Sequence, residues 1–241
     1  MLEAVHVGAA DRTTADVLEA VADADLVYIA TPVATIARVI REIAPALKPG
    51  CIVTDAGSTK REIVAAASHL PPHASFVGGH PMAGSEQAGV SAARSSLFHG
   101  RTYLLTPSPG ADEALRRFRS VVEAIGARAV VVDPETHDRM LARTSHLPHL
   151  VAAALCRSLG DACSARDLIG DGLRDTTRIA EGPAEVWREI LLTNADEVLE
   201  ALDQFKGEIE AYRQALSAAD EKMITILLAE ASECRGRMGD R

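Results

Sequence analysis

The sequence is poor in aromatic residues and has no long apolar run. Phe, Trp and Tyr make up only 3% of its 241 residues, too few to form a surface on which nucleotide bases stack. No apolar stretch approaches the roughly 18 residues that a membrane-spanning helix requires. The first residues, MLEAVHVGAADR, lack the basic and then apolar order of a secretory signal peptide. The composition therefore predicts a soluble cytoplasmic protein without a membrane partner.

Cysteine and positive charge are also scarce. The four cysteines, Cys51, Cys156, Cys163 and Cys234, form no CxxC pair and are expected to be free thiols in a reducing compartment. A net charge of −9 without any basic run argues against a nucleic-acid partner. The 47% of hydrophobic and 24% of charged residues are ordinary for a globular chain, whose length allows one large domain or two small ones.

The first half of the chain alternates short apolar runs with amphipathic segments. Strands are predicted at 26–30, 51–54, 75–77, 101–105 and 128–132. Helices are predicted at 14–22, with Thr14 as N-cap, and at 35–47, 86–96 and 112–125. One more helix is predicted to begin at a capping box formed by Thr59 and Glu62. The first strands do not alternate in polarity, as in strands buried on both faces, and the strand–helix order predicts a parallel α/β sheet.

Three loops rich in small and polar residues follow the first three strands. They are Thr31 to Val33, Asp55 to Ser58 and Gly78 to Glu86. Because ligands bind at the carboxyl ends of parallel strands, these loops predict a binding cleft. The third loop, GGHPMAGSE, contains His80, whose side chain titrates near neutral pH and is a candidate acid or base. The alternative is a structural histidine held by hydrogen bonds.

After the last predicted strand, the pattern changes to helices only. Asp133 is a good N-cap with Pro134 at the first helical position, which predicts a boundary between an α/β domain of residues 1–133 and a helical domain of residues 134–241. Further on, apolar residues recur in steps of three and four at Ala195, Val198, Leu202, Phe205, Ile209, Tyr212 and Leu216. This pattern predicts a long helix packed lengthwise, either within the chain or at a subunit interface.

Two polar segments of the helical half are candidates for a ligand site. The segment SHLPH places His146 and His149 on one helix face and predicts a kink at Pro148. Those histidines form a polar kink, a cleft wall facing His80, or part of a zinc site, for which two ligands are weak support. Arg178 lies in a charged segment and is suited to binding a carboxylate, or else is an ordinary surface arginine.

Four segments in order carry more information than any of them alone. They are GGHPMAGSEQAGV, LFHGRTYLLTP, ETHDRMLARTSHLPHLVA and RDTTRIAEGPAEVWREILLTN. Together they resemble the prephenate and arogenate dehydrogenases of tyrosine biosynthesis, over a stretch from about Ala22 to Tyr212. The resemblance implies a Rossmann-type sheet followed by a helical dimerisation domain. It also implies NAD or NADP as cofactor, prephenate or arogenate as substrate of an oxidative decarboxylation, and a homodimer.

The resemblance also implies roles for individual residues. His80 is expected to accept the hydrogen bond or the proton of the C4 hydroxyl, and Ser58 to orient that histidine and to border the nicotinamide. Arg178 is expected to bind a substrate carboxylate, and His149 to be the second histidine of the pocket. Further substrate-binding residues are expected at Glu86, Asp175, Gly172, Trp187 and His146. The expected cofactor-binding residues are Thr31, Pro32, Val33, Gly57 and Ser58, and no metal ligand is predicted.

The sequence departs from the family at its start. The family begins with a strand and a G-x-G-x-x-G turn that binds the pyrophosphate, whereas the only glycine before Gly50 here is Gly8. We expect that the natural protein is longer, with its first strand beside 26–30. The alternative is a short paralogue that binds a ligand or dimerises without a dinucleotide. Without that neighbour, 26–30 is predicted to form an exposed hydrophobic edge.

Overall fold

The computed structural model describes residues 2–84 and 89–239. The chain divides into two compact units, Met1–Ala195 and Asp196–Arg241. Within the described ranges, no helix combines the length and the apolar character that crossing a membrane requires. The expected substrate-binding residue Glu86 lies outside the described residues.

A five-stranded sheet forms the centre of the first unit. In spatial order, its strands are β1 (Leu26–Ile29), β2 (Ile52–Asp55), β3 (Ser75–Pro81), β4 (Thr102–Pro107) and β5 (Arg128–Val131). The pairs β1–β2, β2–β3 and β4–β5 are parallel, which confirms the α/β class. The expectation of an all-parallel sheet is wrong at β3–β4, which is antiparallel with His80 opposite Leu104.

The described part of the connection before β4 contains no crossover helix. A parallel pair needs a crossover of a dozen or more residues, usually a helix. The helix predicted at 86–96 is wrong over its described part, where only a 3₁₀ turn at Val90–Ala92 is formed. Gly89 has a φ of 90°, outside the helical region, and Ala93 is already extended.

Helices and turns connect the strands and continue after them. The α-helices of this unit are α1 (Leu2–His6), α2 (Val17–Val21), α3 (Val33–Ile43), α4 (Arg61–Ala66), α5 (Asp112–Ala124), α6 (Pro134–Leu141), α7 (Leu147–Ser158), α8 (Asp171–Thr177) and α9 (Ala184–Thr193). Short 3₁₀ turns also lie at Ala44–Ala46, Ala67–His69, Gly160–Ser164, Arg166–Leu168 and Arg178–Glu181.

Two apolar cores cover the two faces of the sheet. The first contains Ile36 and Ile40 of α3, Val53, Ile63 and Phe76. The second contains Val77, Tyr103, Leu105 and, from α5, Phe118 and Val122. Because neighbouring residues of a strand point to opposite faces, Phe76 and Val77 belong to different cores. Burying each such side chain contributes about 1.5–3 kcal/mol, so β2 and β3 are held firmly in the middle.

Strand β1 forms one edge of the sheet. It pairs with β2, and among the described residues no strand pairs with its other side. Leu26 is 36% and Tyr28 is 41% exposed, which confirms the predicted apolar edge and shows that this strand is not buried on both faces.

Two predicted helix caps are wrong, and tertiary contacts replace one of them. Helix α2 is capped by Asp16, whose carboxylate accepts the N–H of Leu18, and not by Thr14. The proposed capping box does not form, because the Thr59 hydroxyl lies 3.0 Å from that of Thr193 instead. Helix α4 begins later, at Arg61, and its first N–H groups bind a carboxylate from another helix.

The helical segment that follows the sheet begins as predicted. Asp133 accepts the N–H of Thr136 at 2.7 Å and caps α6, with proline at the first position. A π-helical turn, Ala142–His146, lies between α6 and α7. It occupies the place where the missing N–H of Pro148 prevents a regular hydrogen bond, so the predicted kink takes the form of a widened turn.

The second unit consists of a helical pair. Helix α10 (Ala195–Ser217) confirms the long helix predicted from the three-and-four pattern, and α11 (Glu221–Arg237) follows it. Asp220 caps α11 by accepting the N–H of Met223 at 2.9 Å. Ile209 is 53% and Leu216 is 65% exposed, so part of the apolar seam of α10 is open to solvent in the single chain.

Candidate active site

A buried ion pair joins the end of β2 to the start of α4. The side chains of Lys60 and Asp55 are both 0% exposed, and the ammonium group of Lys60 donates to the Asp55 carboxylate. Burial lowers the pKa of Lys60, and the charge of Asp55 opposes this shift. Asp55 also accepts the N–H groups of Gly57 at 2.7 Å and Gly79 at 3.0 Å, so it links the ends of β2 and β3.

The glycines before His80 are required by close packing. A Cβ on Gly78 would collide with the Thr106 hydroxyl on β4, and one on Gly79 with the Asp55 carbonyl on β2. Strand β3 therefore lies closer to both neighbours than a side chain would permit. This packing places His80, only 9% exposed, at the end of a strand that cannot shift sideways.

His80 begins a chain of buried hydrogen bonds. Its Nδ1 lies 2.9 Å from Nε2 of His137, and Nδ1 of His137 lies 2.7 Å from the carboxylate of Asp138. His137 and Asp138 are at most 1% exposed. Burial above all, and then the neighbouring His137, Lys60 and His146, lower the pKa of His80 well below its usual value. His80 is therefore a neutral imidazole near neutral pH.

Asp138 is the carboxylate that binds the start of α4. It accepts the backbone N–H of Lys60 at 2.7 Å and of Arg61 at 2.9 Å. Its pKa is lowered: burial opposes this, but the hydrogen bonds from His137 and from these N–H groups outweigh it. Sequence reasoning missed both His137 and Asp138. The only signal was the His-Asp pair within the segment ETHDRML.

A second chain of hydrogen bonds begins at His146. The amide nitrogen of Asn194 lies 3.3 Å from His146 Nδ1 and donates to the backbone carbonyl of Asp138 at 2.8 Å. The amide oxygen of Asn194 accepts from the Arg61 guanidinium at 3.1 Å. Burial lowers the pKa of His146 to about 4, with the negative charge of Asp138 opposing the shift. His146 is therefore a neutral imidazole near neutral pH. The amide nitrogen of Asn194 links this residue of the π-helical turn to the backbone of α6.

Trp187 of α9 joins the two histidines of the SHLPH segment. The His149 ring stacks on the indole with centroids 3.6 Å apart and planes 9° from parallel. His146 meets the same indole edge-on, at 6.3 Å. Nδ1 of His149 is buried and has no hydrogen-bond partner within the described part of the chain. A buried polar atom without a partner is costly, so this nitrogen is a candidate to bind a ligand.

The expected cofactor residues line one cleft of roughly 360 Å³. It contains Thr31, Pro32 and Val33 after β1, Gly57 and Ser58 after β2, and Glu189 of α9. Glu189 accepts the N–H of Ala34 at 3.2 Å and so binds the start of α3. Between residues 2–84 and 89–239, no hydrogen bond joins Ser58 to His80.

The charged residues of the TTRIA region line another cavity, of about 710 Å³. Arg178, Asp175, Arg157 and Cys156 border it, and Gly172 lies nearby in α8. Arg178 and Asp175 are exposed, and the described contacts do not connect either residue to His80. The structure thus brings together His146, His149 and Trp187, with His146 near enough to His80 to act on its pKa, but places Arg178 and Asp175 at a different cavity.

Comparisons with known proteins agree with this architecture. The sequence model described as "Prephenate dehydrogenase, nucleotide-binding domain" matches residues 1–131, and "Prephenate dehydrogenase, dimerization domain" matches residues 133–230. Prephenate dehydrogenase of Bacillus subtilis is 36% identical over 224 residues, which are 90% of this chain and 60% of that protein. Cyclohexadienyl dehydrogenase of Zymomonas mobilis is 33% identical over 231 residues, 93% of this chain and 79% of that protein.

Solved structures give the same result. The prephenate dehydrogenase from Aquifex aeolicus in complex with hydroxyphenyl propionate and NAD+ superposes with a TM-score of 0.88 at 30% identity, covering 98% of this chain and 85% of that one. The Synechocystis arogenate dehydrogenase gives 0.85 at 30% identity, with 98% and 87% covered. The sheet and the helices after it are therefore those of a Rossmann-type fold. The chain belongs to the prephenate dehydrogenase family, and it spans about 60% of the length of its Bacillus subtilis relative.

Proposed function

We propose that the chain takes part in the NAD(P)-dependent oxidative decarboxylation of prephenate or arogenate, forming 4-hydroxyphenylpyruvate or tyrosine. The observation that carries the proposal is His80, buried at the end of β3 with its pKa lowered by that burial, in a chain that the family matches along most of its length. A neutral imidazole can take up a proton near pH 7, as a general base must.

The proposed reaction follows from the proton that His80 can accept and the charge that its neighbours can stabilise. The C4 hydroxyl of the ring gives its proton to Nε2 of His80, while the ring carboxylate leaves as CO₂ and the ring becomes aromatic. The oxidised nicotinamide supplies, when bound, a hydride acceptor for C4. Behind His80, the hydrogen bond to His137 and the carboxylate of Asp138 stabilise the positive charge that the proton brings.

The proposed cofactor site is the cleft between the loops after β1 and β2 and helix α9. Thr31, Pro32 and Val33 would contact the nicotinamide from one side and Gly57 and Ser58 from the other.

The substrate site is proposed around the histidine pair and Trp187. His146, His149 and Trp187 would bind the ring and its carboxylates, with Arg178, Asp175, Gly172 and Glu86 as further proposed contacts. Arg178 and Asp175 line a different cavity, so their participation requires a rearrangement or a second subunit. We propose a homodimer formed through the helical residues 134–241, since the matching family model is described as a dimerisation domain.

Two measurements test the proposal. Titration with NAD and NADP measures cofactor binding by the chain itself, and NADH or NADPH absorbance measures turnover with prephenate and with arogenate. We expect binding and turnover in the wild type, and a loss of on the order of 10²-fold or more in kcat for His80→Asn with little change in KM.

The matched control is His69→Asn. His69 is an exposed histidine of the 3₁₀ turn Ala67–His69, so its loss should leave kcat unchanged. Near-normal turnover by His80→Asn would overturn the role of His80. If the chain binds neither dinucleotide, the ligand-binding or dimerisation alternative applies to it instead.

A further inference from the structure

We propose that Asp138 is a positioning residue that sets the tautomers of two histidines in opposite senses. Its carboxylate leaves Nε2 of His80 as a hydrogen-bond acceptor, and its backbone carbonyl, through Asn194, leaves Nε2 of His146 as a donor. The inference deepens the proposed function and rests on it for its catalytic consequence, but the tautomers themselves follow from the hydrogen bonds of three neutral imidazole rings.

The tautomer of His80 follows from the carboxylate of Asp138. Two backbone N–H groups of α4 donate to Asp138, which is the arrangement that favours the ionised form. A carboxylate only accepts hydrogen bonds, so Nδ1 of His137 must donate to it. In a neutral ring the other nitrogen then accepts, so Nε2 of His137 receives the proton of His80 Nδ1. The lone pair of His80 therefore lies on Nε2.

The tautomer of His146 follows from the side-chain amide of Asn194. Its oxygen faces the Arg61 guanidinium, which only donates, and its nitrogen faces the carbonyl of Asp138, which only accepts. The orientation of this amide is thus fixed by two partners that cannot exchange roles. The second hydrogen of the amide nitrogen points to Nδ1 of His146, which must accept it. The proton of this neutral ring therefore lies on Nε2.

The two rings therefore form hydrogen bonds with different groups of a ligand. His80 can accept a hydrogen bond from a hydroxyl, and His146 can donate one to a carboxylate or carbonyl oxygen. A cyclic alcohol that also carries a carboxylate offers both, which is the chemical class of the proposed substrates. If both tautomers were reversed, the same two rings would repel the hydroxyl proton and the carboxylate.

The direct test is the nitrogen NMR spectrum of the full chain with ¹⁵N-labelled histidine. Long-range proton–nitrogen correlations distinguish a protonated from an unprotonated ring nitrogen, and His80→Gln and His146→Gln assign the signals. We expect protonated Nδ1 with unprotonated Nε2 for His80, and the reverse for His146. A protonated Nε2 on His80, or a protonated Nδ1 on His146, would overturn the proposal even without any further variant.

Matched variants test each branch separately. His137→Leu removes the acceptor of His80 and should shift His80 toward the Nε2-protonated form, with kcat falling on the order of 10²-fold or more. His137→Gln offers an amide oxygen to His80 and an amide N–H to Asp138, so it should restore the wild-type tautomer and most of kcat. Equal spectra for the two variants would contradict the first branch.

The second branch has its own variant. Asn194→Asp places a carboxylate beside His146 and should move the His146 proton to Nδ1 while leaving the His80 signals unchanged. A His146 spectrum that stays as in the wild type would contradict the role of Asn194. If the tautomers are as expected but no substrate is oxidised, the positioning inference stands and the proposed function fails. If substrate is oxidised but the tautomers are reversed, the proposed function stands and the positioning inference fails.

Discussion

Replacing Lys60 by methionine should destabilise the protein by leaving the Asp55 carboxylate buried without its counter-charge. Both side chains are fully buried, so water cannot compensate for the lost ammonium group. Removing one partner of a buried pair costs about 3–5 kcal/mol. Two backbone N–H groups, of Gly57 and Gly79, still donate to the carboxylate, so we expect the lower end, about 3 kcal/mol.

This loss is large against the total stability of a domain, about 5–15 kcal/mol. With a urea dependence of about 3 kcal/mol per molar, the midpoint of unfolding should fall by about 1 M. The assay is urea unfolding followed by far-UV circular dichroism, at one protein concentration because a dimer would make stability concentration-dependent. Lys222→Met, at an exposed position of α11, is the control and should change the midpoint little.

A double-mutant cycle isolates the pair itself. Asp55→Asn leaves the Lys60 cation buried, while Asp55→Asn with Lys60→Met leaves neither charge. We expect the double variant to lose clearly less stability than the sum of the two single losses. If Lys60→Met shifts the midpoint no more than the control, or if the losses simply add, the reasoning from a buried ion pair is wrong.

Three further predictions concern packing, pH and the sheet edge. Gly79→Ala should lower the free energy of unfolding by about 1–3 kcal/mol, because the added Cβ collides with a backbone carbonyl. Gly236→Ala, which has open space around it, is the control and should not lower it. Equal urea midpoints for the two variants would contradict this prediction. Burial lowers the pKa of His80, and it lowers the pKa of His146 from 6.5 to about 4. Below pH 6.5 the unfolded chain therefore binds more protons than the folded chain. Stability should therefore fall as the pH is lowered from 6.5 toward 4, with a weaker dependence in His146→Gln measured by thermal unfolding. Leu26→Lys on the open strand should reduce light scattering on concentration without changing the unfolding midpoint, and unchanged scattering would argue against an aggregating edge.

Much of the fold was accessible from local pattern. Unbroken apolar runs predicted the strands, the steps of three and four predicted α10, and Asp133 with Pro134 predicted the start of α6. Such features depend on residues close together in the chain, whose preferences act over a single turn or strand. The segments GGHPMAGSE and SHLPH likewise indicated the histidines of the candidate site, because each motif is contiguous.

Contacts between distant segments could not be predicted in this way. The antiparallel pairing of β4 with β3 was not predicted, and the cap of α4 is provided by Asp138, 78 residues from Lys60. The partner of His80 is His137, 57 residues away, although Ser58 was expected to orient it. A hydrogen bond forms only within about 3 Å, a precision that residue type and spacing do not carry.

The sequence by itself indicated His80, His146 and His149 as candidates for the chemistry, because histidines, small loops and apolar strands are properties of residue type and order. Only the tertiary structure decided how those imidazoles are held. Packing of α6 against α4 brings one carboxylate to two backbone N–H groups and to His137 at once. That convergence of separate chain segments, rather than any local motif, orients the histidine at the end of β3.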